Sequence, residues 1–496
     1  MTIAYVTTNE PQRTQVTYVT TNEPKPTQVT YVTTGPAPLP TPTTYVTVQT
    51  RQVRKHNAHT AIAGIFLFAY GGMDMAQGLG WNLVTGLAET TEMQYSWSLG
   101  VIIGAIVAAL SIVHIPKWVY YSLGGLLQMI DGIIFVSTAE YNALIAARYL
   151  GGAGIGLITV AFIIHNSEIS LPNSRGWWCA LEQYGLALGI AIQVIIDTQW
   201  DASSSIDANC AHGIFGIVFS LVATGAVVVS IESPIFYLRR NNEEKAHTLQ
   251  AMLLSSSKSS EACKAAFEEA KHYVSVGSSQ STGQQLASSV MPFIKMLFSR
   301  CLVPLTFSLP LSASMITSTV VAELALNWPI VVWGLLRWFG TFFSMALLDK
   351  VGRKFVSLLG LVCMAGLTLG MAGIYSDVNN TISWYYMSQV CRLSMSFQFF
   401  AGLFICCTPT YLGEAFPMKV KALLIGLIVC IEQVIHIIVI ETFSTSLSFY
   451  YPYFLAVGIV LIVCLIIFAV LMPETRGLSL RQATERFCRV HDVMAH

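Results

Sequence analysis

The sequence predicts an all-α membrane protein, with twelve transmembrane helices arranged as two halves of six. Three observations carry this. Of 496 residues, 54% are hydrophobic and only 11% charged, whereas a soluble domain carries roughly a quarter charged residues. The apolar residues gather into runs of about 20, the length that crosses a bilayer. Lys and Arg also concentrate at alternate junctions between runs, as in the cytoplasmic loops of membrane proteins.

The chain opens with a polar tail, residues 1–57, built on a repeat. Tyr5-Val-Thr-Thr-Asn-Glu-Pro returns from Tyr18, decays at Tyr31 and ends with Tyr45-Val-Thr. Such Thr- and Pro-rich sequence cannot bury enough apolar surface to offset the entropy of ordering it, so a disordered tail is expected. Two roles stay open for it: a phosphorylation or partner site with partners unknown, and a plain solvated extension. It is too long and too sparsely charged to read as a cleavable signal peptide.

Residues 58–238 hold six apolar runs, near 60–82, 96–114, 118–137, 141–164, 177–196 and 212–231. A polar linker, 239–298, follows, with Ser-rich runs from Ser255 and up to Ser289. Within it, Glu261 to Tyr273 alternates Ala, Phe and charges at helical spacing, which predicts a short amphipathic helix over the inner ends of the bundle. Residues 299–473 hold six more runs, near 301–322, 328–348, 355–375, 384–411, 422–446 and 450–472. The seventh is the least apolar. Residues 474–496 form a second polar tail. A long link between six and six suits a fold of two repeated halves with a site between them.

Arg51, Arg54, Lys55, Lys117, Arg175, Arg239, Arg240, Lys350, Arg353, Lys354, Lys419, Lys421, Arg476 and Arg481 occupy alternate junctions, which places both termini in the cytoplasm. The opposite junctions carry Glu89, Glu92, Glu140, Asp197, Asp201, Asp207 and Asp377, with no Lys or Arg. Asn379-Asn380-Thr381 is a glycosylation sequon in one of these outside loops. Of the eleven cysteines only Cys210 falls outside, so no disulfide framework is implied.

Enzymatic readings fare poorly. No phosphate-cradling Gly-x-x-x-x-Gly-Lys-Ser/Thr loop occurs, no paired Cys or His spacing suggests a metal, and the run Gly151 to Gly156 lies inside an apolar span with no preceding strand. Formal net charge is zero, so nothing points to nucleic acid. The expectation is a protein that is no enzyme, needs no cofactor, and meets lipid and a small solute.

Short charged signatures mark the ends of particular spans. They are Ala147-Arg148 with Gly152-Ala-Gly154-Ile-Gly156; Glu168 with Arg175-Gly176; Glu232-Ser233-Pro234 with Arg239-Arg240; Asp349 to Lys354; Pro409-x-Tyr411-x-x-Glu414-x-x-Pro417; and Pro473-Glu474-Thr475-Arg476-Gly477. At span ends these charges stay solvated and can latch helices together. Gly152 and Gly156 allow close helix approach. Asp349, Arg353, Glu414 and Lys421 can form one network between spans eight and eleven, and Glu168, Arg175 and Glu232 a counterpart in the first half. Arg148 requires an acid or a helix end.

Six motifs in this order, from about Ala61 to Leu480, resemble the sugar porter family of the major facilitator superfamily. The resemblance implies the major facilitator fold and a secondary transporter that moves a sugar or similar small polar solute by alternating access. Plasma membrane is the expected residence. Counting from the motifs, the family's fifth-span glutamine falls at Gln183, an amide able to donate and accept toward vicinal hydroxyls. An asparagine of the family falls at Arg337, and its Asn, Trp and Asn of span eleven fall at Glu432, Gln433 and His436. The span-ten glutamate and tryptophan fall at Ala401 and Pro409.

Departures matter as much. His114-Ile-Pro116-Lys117-Trp118 replaces the charged signature expected after span two, so half of the first-half latch is expected to be missing. On span seven Ser308, Ser312, Ser314, Thr317, Ser318 and Thr319 replace the family's amides. Ionised side chains at mid-bilayer each cost about 2.5–3.5 kcal/mol on the insertion scale, so Arg337 is expected to pair with Glu432. Proton-coupled relatives carry an Asp directly after an aromatic on span one, where this chain reads Phe68-Ala69-Tyr70-Gly71; Asp74, one turn on, is the candidate proton site and could meet Arg148. Its displacement favours facilitative transport. Two alternatives stand beside a sugar carrier: an organic ion or zwitterion transporter of the same superfamily, and a non-transporting sensor or scaffold.

Overall fold

The computed structural model describes residues 50–82, 90–200, 204–254, 256–322 and 328–490, with side chains from Thr60 onward. The repeat tail, Glu89, Asp201, Ser255 and the side chains of Arg51, Arg54 and Lys55 lie outside the described residues. All regular structure among those described is helical. Eleven helices are long and apolar enough to cross a membrane: Thr91–Ser111, Lys117–Ser137, Tyr141–Ile169, Arg175–Gln199, Ala208–Val228, Val290–Val321, Trp328–Leu348, Arg353–Tyr375, Trp384–Ala415, Lys421–Glu441 and Leu447–Leu471. They are spans two to twelve. Span one is Thr50–Gly78, whose Leu67, Phe68, Met73 and Ala76 are buried in the bundle although Asp74 and Gln77 lower its apolarity.

Three spans are broken. Span five breaks at Ala180, span seven at Phe307 and span ten at Cys406. Pro304, Pro310 and Pro409 flank the last two breaks, where a missing N–H and the ring's bulk interrupt the helix. Span seven also begins well before residue 301, at Val290. Its opening turns hold Lys295, Ser299 and Arg300, polar in sequence yet buried by protein. The Lys295 ammonium donates to the carbonyls of Phe487 (3.1 Å) and Arg489 (2.6 Å).

Pairings repeat between the halves. Span two packs on four as eight packs on ten, three on six as nine on twelve, and three on four as nine on ten. Across the halves, two meets eleven and five meets eight, the contacts a pseudo-two-fold relation requires. Glycine sets the closest crossings. A Cβ at Gly156 would fall 2.1 Å from the Val101 carbonyl oxygen, and one at Gly340 would fall 2.1 Å from that of Phe399. No other residue lets those backbones touch.

The linker carries helices Glu243–Leu253, Glu261–Ser279 and Thr282–Ser288. Phe267, Tyr273 and Val274 bury their apolar faces with Ile235, Leu238 and Met418. Gln285 accepts from the Lys419 amide (2.9 Å) and donates to the Gly277 carbonyl, while the Lys419 ammonium reaches the Ser278 carbonyl (3.1 Å). The amphipathic helix thus covers the end of the bundle where the basic residues gather.

Candidate functional site

At that basic end the halves are locked. Arg175 of span five donates to Glu414 of span ten at 2.8 Å, and Arg353 of span nine holds the other carboxylate oxygen. Arg353 also donates to the Thr475 hydroxyl (2.8 Å), which places the Pro473 to Gly477 signature in the same cluster. Asp349 accepts the amides of Gly176 (3.1 Å) and Trp177 (2.8 Å), capping the first turn of span five. A side chain at residue 176 would strike that carboxylate, since a Cβ there lies 2.5 Å from Oδ1. Burial pushes the Asp349 carboxyl up, against the opposing pull of Arg353 and the two amides.

Two expectations for the latch change. Arg175 does not join Glu168 and Glu232 within its own half; it crosses to Glu414. Lys421 makes no ion pair with Asp349 or Glu414 among the described residues; its ammonium crosses to the Ser167 hydroxyl at 2.9 Å. The vacancy in the first half is filled by Lys117, which pairs with Glu168 and Glu232 at 3.1 Å each. Its amide also donates to Glu232 at 2.6 Å. Burial alone would raise the Glu232 carboxyl, but the Lys117 charge, His165 and the hydrogen bonds from Ser233 and Lys117 together hold it below the usual glutamate range. A lysine one position after a proline thus replaces the absent signature, because helix-starting Pro116 turns Lys117 inward.

Midway through the bundle, Glu432 does not meet Arg337. Its partner is Arg300, which the apolar pattern had left at the edge of span seven. Arg300 donates from Nε to Glu432 (2.7 Å), from Nη2 to Glu182 of span five (2.9 Å), and to the Thr408 hydroxyl (3.1 Å). The cluster ties spans five, seven, ten and eleven, and so both halves. Arg337 instead donates to the Thr306 carbonyl (3.0 Å) and hydroxyl (3.0 Å) and to Gln398 (3.1 Å), with Phe307 stacked 5.4 Å from its guanidinium. The Thr306 carbonyl ends a half-helix at the break in span seven, where partial negative charge favours a cation.

Gln183 and Gln433 adjoin the two carboxylates in sequence and are buried. The Gln183 Nε2, Gln433 Oε1 and Arg337 Nε atoms have no hydrogen-bond partner. His436 lies one turn beyond Glu432, buried and within electrostatic reach of Arg337. No hydrogen bond joins Gln183 to Arg337 or Glu432 among the described residues. Ala401 and Pro409 are buried in span ten.

The opposite end is also shut. Trp81, beyond span one, donates to the Ser312 hydroxyl of span seven (3.1 Å) and packs 5.3 Å from Trp333 of span eight, itself 5.3 Å from Phe307. Gln193 of span five donates to the Trp81 carbonyl at 3.2 Å.

That glutamine leads to Asp74. Its oxygen faces His212 Nδ1 at 3.0 Å, and His212 Nε2 lies 3.1 Å from the Asp74 carboxylate. Because Gln193 turns its oxygen to Nδ1, that nitrogen donates, and one chain of contacts runs from Gln193 through His212 to the Asp74 carboxylate. Arg148 takes only the main-chain carbonyl of Asp74 (2.8 Å) and donates as well to Gln77 (3.0 Å), the Met93 carbonyl (3.1 Å) and the Ser96 hydroxyl (3.2 Å), so among the described residues it forms no ion pair with Asp74. Asp131 of span three, missed in sequence, lies beside Asp74: a Cβ on Gly151 would approach both carboxylates, at 2.4 and 2.7 Å. Asp131 sits mid-run among apolar residues, and that isolation was the available signal.

A family model described as "Sugar (and other) transporter" matches residues 52–487. Solved structures of XylE share the fold. A complex described as the MFS proton:xylose symporter XylE with 6-bromo-6-deoxy-D-glucose is 15% identical, covering 88% of this chain and 99% of that one at a TM-score of 0.71. A double-tryptophan mutant of XylE is 16% identical with the same coverage and a TM-score of 0.70. The inward-open xylose transporter XylE from E. coli, 16% identical over 87% of this chain and 99% of that one, scores 0.60. No curated protein matches the chain.

Proposed function

Because the chain belongs to the sugar (and other) transporter family, we propose that it moves a sugar or similar small polar solute through the layer of Gln183, Arg337, Glu432, Gln433 and His436. It is an integral multi-pass membrane transporter and not an enzyme. The observation that carries the site reading is the set of partnerless polar atoms on Gln183, Gln433 and Arg337, enclosed between the Glu414 latch and the Trp81 closure. Buried amides without partners are costly, and a solute rich in hydroxyls satisfies them. Rocking one half against the other opens one closure at a time. The basic end faces the cytoplasm in this reading, both termini with it, and the plasma membrane is the residence.

Transport in this reading is facilitative. A second reading, proton coupling, is favoured by one observation: a buried histidine, His212, set 3.1 Å from the Asp74 carboxylate and connected through Gln193 to Trp81. Uptake of labelled hexoses, disaccharides, amines and carboxylates into vesicles, with and without a proton gradient, tests both. Gradient-independent flux that is lost in Gln183→Ala supports the first reading. Gradient-driven flux lost in His212→Gln supports the second, and no flux of any solute leaves a sensor or scaffold.

A further inference from the structure

We infer that Asp131 of span three and Asp74 of span one form a carboxyl pair that binds a single proton between them, and that this pair is the carrier's proton site. The inference deepens the proton-coupled reading above and rests on it for the pair's part in transport.

Geometry is the first argument. Asp74, Asp131 and Gly151 meet where spans one, three and four pack together. A Cβ on Gly151 would fall 2.4 Å from Oδ2 of Asp131 and 2.7 Å from Oδ2 of Asp74, so the two oxygens are no farther apart than those distances laid end to end. Both side chains are 0% exposed. The carboxyl groups stand within hydrogen-bond reach of each other, yet neither oxygen of Asp131 nor Oδ2 of Asp74 has a hydrogen-bond partner. Bare carboxylates only accept, and two of them buried side by side repel. One proton turns the pair into a donor and an acceptor.

The surroundings are the second. The titratable and charged groups facing the pair are Tyr70 on span one, Arg148 on span four and His212 on span six, while span five contributes the neutral Gln193. Among them Arg148 brings the one permanent positive charge against two acids, so neutrality in the interior requires one more. The Tyr70 hydroxyl, 0% exposed and itself without a hydrogen-bond partner, stands beside Asp131 as a third polar group of the site.

Position is the third. From Asp74 the contacts run to His212 (3.1 Å), Gln193 (3.0 Å) and the Trp81 carbonyl (3.2 Å), so opening the outer closure disturbs the groups that border the proton. A proton taken up with that closure open and given up with the Glu414 latch open leaves the pair as it began, one proton having crossed with each solute.

Infrared spectroscopy of the full chain in vesicles reads the proton directly, as the carbonyl stretch of a protonated carboxyl group. At neutral pH the band is expected in the parent and should be lost in both Asp74→Asn and Asp131→Asn, because either change leaves a single acid beside Arg148, which ionises. A band at full strength in Asp131→Asn overturns the inference. So does a parent with no band, a result that depends on no variant folding, and so does a band that vanishes when sodium chloride replaces choline chloride, which would name sodium as the ligand. Uptake of labelled hexoses, disaccharides, amines and carboxylates under a proton gradient reads the pair's role: gradient-driven accumulation in the parent should be lost in Asp131→Asn. A parent that shows the shared proton but has no gradient-driven flux sinks the proton-coupled reading and leaves the pair standing.

Discussion

Arg175 and Glu414, 239 positions apart in the chain, meet at 2.8 Å across the boundary between the halves. Because Arg353 holds the other oxygen of Glu414, one carboxylate serves both halves at once. Arg175→Ala is therefore expected to loosen the closure without stranding Glu414. Buried Cys179 and Cys407, beside the latch, should become reactive to a maleimide applied from the basic face. Unchanged labelling would remove Arg175 from the closure.

Lys117 answers two carboxylates, so its loss should cost more than the loss of either acid. Lys117→Met leaves Glu168 and Glu232 facing one another, and about 3–5 kcal/mol is the expected penalty for a buried pair stripped of one partner. Glu232→Gln leaves the Lys117–Glu168 pair intact and should cost less. Unfolding in detergent, followed by tryptophan fluorescence, gives the order.

Acid should act on the same cluster. The Glu232 carboxyl lies below the ordinary glutamate value of 4.5, so its stabilising contribution is present above that value and is lost as pH falls through the lowered folded value. Melting temperature measured between pH 7 and pH 3 should fall more steeply in the parent than in Glu232→Gln. Parallel profiles would contradict the assignment.

At mid-bundle, coupling follows contact. Arg300→Gln and Glu432→Gln should be non-additive by roughly 0.5–3 kcal/mol in stability, as for residues in one ion-pair network. Arg337→Gln and Glu432→Gln should add. The reverse pattern would restore the pairing expected from sequence.

Bulk at the crossings is not tolerated. Gly156→Val and its counterpart Gly340→Val each place carbon about 2.1 Å from a carbonyl oxygen, and loss of the folded monodisperse protein on size exclusion is expected for both. Gly366→Ala, open on all sides, is the control.

Much of this architecture was legible in the sequence because bilayer thickness dictates the length of apolar runs and solvation dictates where charges sit. The latch residues were legible for the same reason. Their partners were not: Arg175 and Glu414 reveal nothing of one another until the halves close. Arg300 was missed because a charge beside an apolar run reads as solvated, whereas here additional helix turns bury it. His212 and Asp131 were passed over because each stands alone in its span, and only packing brings them to Asp74.

The interruption of span seven at Phe307 has a mechanical meaning. Arg300 rides on the segment before it and Ser312, the partner of Trp81, on the segment after it. With no continuous hydrogen-bonded rod between them, the outer piece can swing while the inner one stays fastened. The two lids of this carrier are thereby free to act in turn, as an airlock demands.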